Sequence, residues 1–102
     1  MTWKLWLDDL HACRHTPDRH PPEGFVAAAS SIDAASRVRE LGMPEFIDFD
    51  FDLGHGDSAI ILITWLRENY PDGPFPEYLV HSTYPGAAEM IHDAMKAWKA
   101  GR

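Results

Sequence analysis

Three short segments place acidic or imidazole groups directly after apolar runs. Leu5-Trp6-Leu7 leads into Asp8-Asp9, Phe49-Asp50-Phe51-Asp52-Leu53-Gly54 carries two more carboxylates in mid-chain, and Tyr78-Leu79-Val80 leads into His81-Ser82. Carboxylates gathered within a few ångström repel one another, so they must share a proton or bind a cation. An oxygen-rich set of this kind suits Mg²⁺ or Mn²⁺, with water and a phosphate oxygen filling the rest of the shell. Such an ion polarises a phosphoryl group and orients an attacking water. His81 can then act as general acid or base, because imidazole titrates near neutral pH. Ser82 can hydrogen-bond a phosphate oxygen, and backbone amides at the helix start Pro85-Gly86 can add donors. Taken singly, the motifs have plainer readings: Asp9 and Asp52 as loop caps, His81 as a ring packed on an aromatic. Their convergence points to a site.

For these groups to meet, the apolar runs must be parallel strands whose C-terminal ends share one edge, where open α/β sheets bind ligands. Lys4 to Leu7 reads as a first strand, apolar on both faces as in a buried parallel sheet. Phe25 to Ala29, Phe46 to Phe49 and Tyr78 to His81 read as the second, third and fourth. Ser30 or Ser31 caps a helix in which Ile32, Ala35, Val38 and Leu41 recur at helical spacing, stopped by Gly42 and Pro44. Gly54 to Ser58 reads as a loop. Ala59 to Tyr70 reads as a helix, since its length, its cap and the following Pro71 outweigh the β preference of its isoleucines. The final helix, from Pro85-Gly86, has Ala88, Ile91, Met95 and Trp98 on its buried face, and Leu10 to Gly24, with Pro17, Pro21 and Pro22, is a loop.

Strands alternating with helices predict an α/β fold, a small three-layer sandwich around a four-stranded parallel sheet with right-handed crossovers. In the flavodoxin-like order the first, third and fourth strands are neighbours, which gathers Asp8, Asp9, Asp50, Asp52, His81 and Ser82. Asp48 is out of place in this scheme. A carboxylate inside a covered strand is costly unless it is paired or metal-bound.

A chain of 102 residues, 45% hydrophobic and 25% charged, is expected to form one domain over residues 1–102 with a single modest core. The lone Cys13 excludes an intramolecular disulfide and fits a reducing, cytoplasmic setting. No membrane association is expected: the longest apolar run, Ala59 to Leu66, is too short to span a bilayer, and the N-terminus has no signal-peptide pattern. A formal net charge of −7, with the basic residues scattered singly, argues against general nucleic-acid binding. A small nucleotide or cyclic-phosphate ligand bound through a metal ion escapes that objection, and a protein partner remains open.

Three lesser patterns carry less weight. Asp48, Asp50 and Asp52 alternate as in a calcium loop, but Leu53 stands where the loop needs Gly and Ala59 where it needs Glu. His11, Cys13, His15 and His20 fit no structural zinc spacing and read as a solvated loop. Trp3, Trp6, Trp65 and Trp98 read as core.

In sequence order, Leu5-Trp6-Leu7-Asp8-Asp9, Asp50-Phe51-Asp52-Leu53-Gly54 and Val80-His81-Ser82-Thr83-Tyr84-Pro85-Gly86 resemble the cyclic-phosphate-processing receiver family, a compact offshoot of the response-regulator receiver fold. The resemblance covers nearly the whole chain. It implies a receiver-like domain in which Asp8, Asp9, Asp50 and Asp52 hold a Mg²⁺ or Mn²⁺ ion. Asp50, His81 and Ser82 would carry the chemistry, and His11, Arg14, Thr83 and Gly86 would contact substrate. The activity implied is that of a metal-dependent phosphoesterase on cyclic phosphates or cyclic nucleotides. Departures fall at His11 for the family's Arg, Phe51 for its His and Tyr84 for its Asn. Ala59 and Ile61 also stand where the family has Gly and Asp. The metal-holding half of the pattern is kept while the substrate-contacting half is changed. Two other roles follow from the same segments. A phosphoacceptor receiver would use Asp50 or Asp52 with Ser82 or Thr83, but it needs a Lys after a fifth strand, whereas Lys96 and Lys99 lie on the last helix. A non-catalytic domain binding a nucleotide or protein partner is favoured by Phe51.

Overall fold

The computed structural model describes residues 2–9, 22–82 and 84–101. Its elements are β1 (Lys4–Leu7), β2 (Phe25–Ala28), α1 (Ser31–Leu41), β3 (Phe46–Phe49), β4 (Asp52–Gly54), β5 (Asp57–Ser58), α2 (Ala59–Asn69), β6 (Glu77–Val80) and α3 (Ala87–Ala100). Four of the strands form a parallel sheet in the order β2-β1-β3-β6, so the fold is the expected receiver-like α/β architecture. Successive strand residues point to opposite faces. Leu5, Leu7, Ile47 and Phe49 are fully buried on one face, against helices. Helix α1 packs on β1, β2 and α2, while α3 packs on α2 and β6, so these three helices make one layer on that face. Among the described residues no helix is long and apolar enough to cross a membrane.

Local chemistry fixes the element boundaries. Ser30 caps α1: its Oγ accepts the Asp33 N–H at 3.0 Å, and the Asp33 carboxylate accepts the Ala29 N–H at 3.2 Å, a reciprocal capping pair. Gly42 ends α1 at φ +86, and its N–H reaches Val38 O at 2.8 Å. The Trp3 indole N–H donates to Gly42 O at 2.9 Å and ties this turn to the start of β1.

Four sequence expectations are corrected. The stretch read as a loop, Gly54 to Ser58, belongs to an antiparallel hairpin of β4 and β5, whose turn residues His55 and Gly56 both have positive φ. That is the backbone a two-residue hairpin turn with right-handed strand twist demands. The buried stripe of α1 is Ser31, Ala34 and Val38, rotated away from the expected one, which leaves Ile32 79% exposed. On α3 the buried position is Ala87, and Ala88 is exposed. Trp3 and Trp98 are core as expected, whereas Trp6 and Trp65 are only partly buried.

Candidate functional site

The strands deliver the site through their register. Leu7 is paired with Phe49, and Phe49 with Val80, at the last rung of β1, β3 and β6. The next residue on each strand is therefore Asp8, Asp50 and His81, at the same height. Backbone bonds continue one step past the strands to hold them: Asp8 N–H to Ala28 O (3.1 Å), Asp50 N–H to Leu7 O (2.9 Å) and His81 N–H to Phe49 O (2.9 Å). Asp8 is fully buried and Asp50 is 7% exposed. One ligand atom from each of Asp8, Asp50 and His81 lies within 4.8 Å of the other two.

The electrostatics agree with the crowding. Burial pushes the Asp50 carboxyl above its ordinary value, the negative charge of Asp8 pushes it further, and Asp9 adds to that. A hydrogen bond from Ser82 and the nearby His81 pull the other way without cancelling the rise. The two buried carboxylates are oxygen donors that could hold a metal ion, with the His81 imidazole beside them.

His81 is held on three sides. Its Nδ1 lies 2.5 Å from Asp48 Oδ1, its Nε2 lies 3.1 Å from Asp8 Oδ2, and its ring stacks on Trp6 with centroids 4.2 Å apart and planes 1° from parallel. Asp48 and Trp6 are neighbours in the β1–β3 register, on the side of the sheet opposite Leu7 and Phe49. Sequence reasoning gave neither of them a role in the site. The signal for Asp48 was its charge inside a strand; for Trp6 it was its position out of phase with Leu5 and Leu7.

The remaining expected residues divide. Asp9 is partly buried beside the cluster, and a Cβ on Gly54 would sit 3.2 Å from its Oδ2, so the glycine at φ +78 gives Asp9 its room. Asp52 is exposed, and its Oδ1 accepts the Gly54 N–H at 2.9 Å, so it caps the hairpin and stands apart from the converging ligand atoms. Ser82 binds the Asp50 carboxyl and accepts the Tyr84 N–H at 3.1 Å. Gly86, at φ +77, is the cap residue that begins α3. His11, Arg14 and Thr83 lie outside the described residues, as do Cys13, His15 and His20. Phe51 and Tyr84, two positions at which the sequence departs from the family pattern, touch each other: their rings stack with centroids 4.9 Å apart and planes at 25°. Tyr84 keeps 48% of its surface exposed.

A family model described as the cyclic-phosphate processing receiver domain matches residues 3–97. No curated protein matches the chain.

Proposed function

The chain belongs to the cyclic-phosphate processing receiver domains, and from that premise we propose that it opens a cyclic phosphate by metal-assisted hydrolysis at the Asp8–Asp50–His81 cluster. The observation that carries this reading is the meeting of two buried carboxylates and an imidazole nitrogen within 4.8 Å at the C-terminal edge of the sheet. Asp8 and Asp50 would hold the ion, with Asp9 beside them. When bound, the ion supplies charge neutralisation for the phosphoryl oxygens and lowers the cost of deprotonating water. Ser82 donates its one hydroxyl proton to Asp50 and would steady a phosphate oxygen by turning that proton from the carboxylate to the phosphate.

The proton traffic falls to His81. Hydrolysis forms one bond from water oxygen to phosphorus and breaks one ring P–O ester bond. The departing ring oxygen takes the proton on His81 Nε2, the attacking water releases a proton to solvent, and His81 is recharged from solvent. Nε2 suits this task because its partner is Asp8 at the cleft, while Nδ1 is held more closely by Asp48 on the far side. The exposed Tyr84, backed by Phe51, offers an aromatic face on which a nucleobase can stack.

Ring opening is followed by ³¹P NMR with cyclic nucleotides and Mg²⁺ or Mn²⁺, against a chelator control. Turnover that needs the cation and disappears in His81→Ala supports the reading. The second reading, a non-catalytic nucleotide binder, draws on the Phe51–Tyr84 stack, which supplies a surface and no acid or base. It predicts saturable binding that survives His81→Ala and no ring opening in either protein.

A further inference from the structure

We propose that Asp48 is the positioning residue of this site: its carboxylate holds the Nδ1 proton of His81, Trp6 fixes the ring plane, and Nε2 is thereby presented to the Asp8–Asp50 cleft. The inference rests on the reading of His81 as the proton carrier and identifies what prepares it.

A neutral imidazole carries its proton on either nitrogen, and the partner of one nitrogen decides the state of the other. An ionised carboxylate can only accept. At 2.5 Å from Asp48 Oδ1, Nδ1 must be the donor, since a bare Nδ1 would set lone pair against lone pair. With a carboxylate at each nitrogen, the shorter contact keeps its proton on Nδ1, and the proton shared with Asp8 at Nε2 is the one the ring gives up and collects. Asp8 competes less well for this selection. It lies farther away, at 3.1 Å, and its carboxylate also faces Asp50 and the space a cation would fill. Asp48 is not among the groups whose ligand atoms converge, so a bound ion would leave its hold on Nδ1 intact.

Trp6 removes the remaining freedom. A ring stacked at 4.2 Å and 1° cannot turn about its Cβ–Cγ bond without sweeping through the indole. Among the described residues the Trp6 indole N–H has no hydrogen-bond partner, so Trp6 acts on His81 through its face. The strand register provides the foundation, because Trp6 and Asp48 are paired one rung below the last pair, directly beneath the folded-back imidazole.

The test reads the tautomer itself. Long-range ¹H–¹⁵N spectra of metal-free protein carrying ¹⁵N-histidine are recorded as pH is raised until the His81 ring shows the neutral pattern, and His81 is assigned by its loss in His81→Gln. Wild type is expected to show a protonated Nδ1 and a bare Nε2. Asp48→Asn, whose amide can donate as well as accept, is expected to show a mixture or the reverse, and Asp48→Ser serves if Asn perturbs folding. In the presence of cation, kcat should fall about 10- to 100-fold in the Asp48 variants, the range for losing a residue that orients a functional imidazole, with KM little changed. A wild-type ring protonated on Nε2, or the same tautomer in wild type and both Asp48 variants, overturns the proposal. A fixed Nδ1–H tautomer in a protein that never opens a cyclic phosphate leaves the positioning role standing and removes the hydrolytic reading instead.

Discussion

On the helix-covered face of the sheet, Leu5, Leu7, Ile47 and Phe49 are fully buried in apolar surroundings. On the opposite side, the residues between and just beyond them are Trp6, Asp8, Asp48, Asp50 and His81, joined by hydrogen bonds and a ring stack and crowded with charge. Both sets come from the same strands, one residue out of phase. Each large side chain on the first face stabilises the fold by about 1.5–3 kcal/mol on burial. On the second, the raised Asp50 carboxyl marks a place where the fold bears a cost. The difference shows how a small sheet supports a charged cluster: the apolar face fixes the strand register, and the register alone sets Asp8, Asp50 and His81 level. Functional sites commonly sacrifice stability in this way.

The largest effect that can break this comparison comes from trimming one side chain on each side. Phe49→Ala empties a fully buried position that also meets Tyr78 edge-on, and it should cost about 3–5 kcal/mol. Leu79→Ala, in the neighbouring strand but 61% exposed, should cost less than about 1 kcal/mol because little buried surface is lost. Chemical denaturation of the two variants measures both. Equal losses would mean that the two faces are not distinct environments.

The two faces were unequally legible in the sequence. Runs such as Leu5-Trp6-Leu7 and Phe46-Ile47 announced strands, and the carboxylates after them announced an edge, because a buried strand turns polar where it reaches the end of the sheet. Convergence of Asp8, Asp50 and His81 followed once the strand order was guessed. Asp48 was visible as an anomaly without a partner, since the partner lies 33 positions away and only the β3–β6 pairing joins them. Trp6 looked like core because an indole in a strand usually is. Asp52 was grouped with its neighbours by spacing. The hairpin that carries it turns on His55, a residue whose positive φ has no sequence signature as strong as the Asn-Gly pair. Where structure depended on local chemistry it could be read, and where it depended on long-range side-chain pairing it could not.

An intermediate effect sharpens the contrast from the charged side. A cation at about a hundred times its dissociation constant should stabilise the wild type by about 2.7 kcal/mol, and this gain should be absent in Asp50→Asn. Without cation the order reverses. Asp50 is raised in the folded protein, so its contribution to stability is complete below the ordinary carboxylate value and lost as pH rises through the raised one. Asp50→Asn escapes that loss. In chelator it should melt above wild type by an amount that grows as pH rises above the ordinary carboxylate value and then levels off. Thermal melts of both proteins across pH, with and without Mn²⁺, give the whole pattern. A metal-free Asp50→Asn that melts below wild type at neutral pH would show that Asp50 is a structural cap and not a destabilised ligand.

The smallest effect tests the covered face where sequence periodicity and structure disagree. Ile32, Ala35, Val38 and Leu41 recur as a buried stripe should, yet Ser31, Ala34 and Val38 are the residues that α1 buries. The rotation has a local cause. The Ser31 N–H donates to Asp57 Oδ2 at 2.8 Å, which ties the first turn of α1 to the β4–β5 hairpin, while Ser30 Oγ accepts the Asp33 N–H and the Asp33 carboxylate accepts the Ala29 N–H. With its start fixed in this orientation, the helix points Ile32 outward beside Ile61 and Trp65. Ile32→Ser should therefore change stability by no more than about 0.5 kcal/mol, as exposed substitutions do. Asp57→Ala removes the tether as well as a charge, and should cost about 1 kcal/mol. In the double variant the two costs should add if Ile32 stays exposed. A penalty for Ile32→Ser that appears only after Asp57 is removed would show the helix rolling to the register its apolar spacing favours, with the hairpin tether as the part that prevents it.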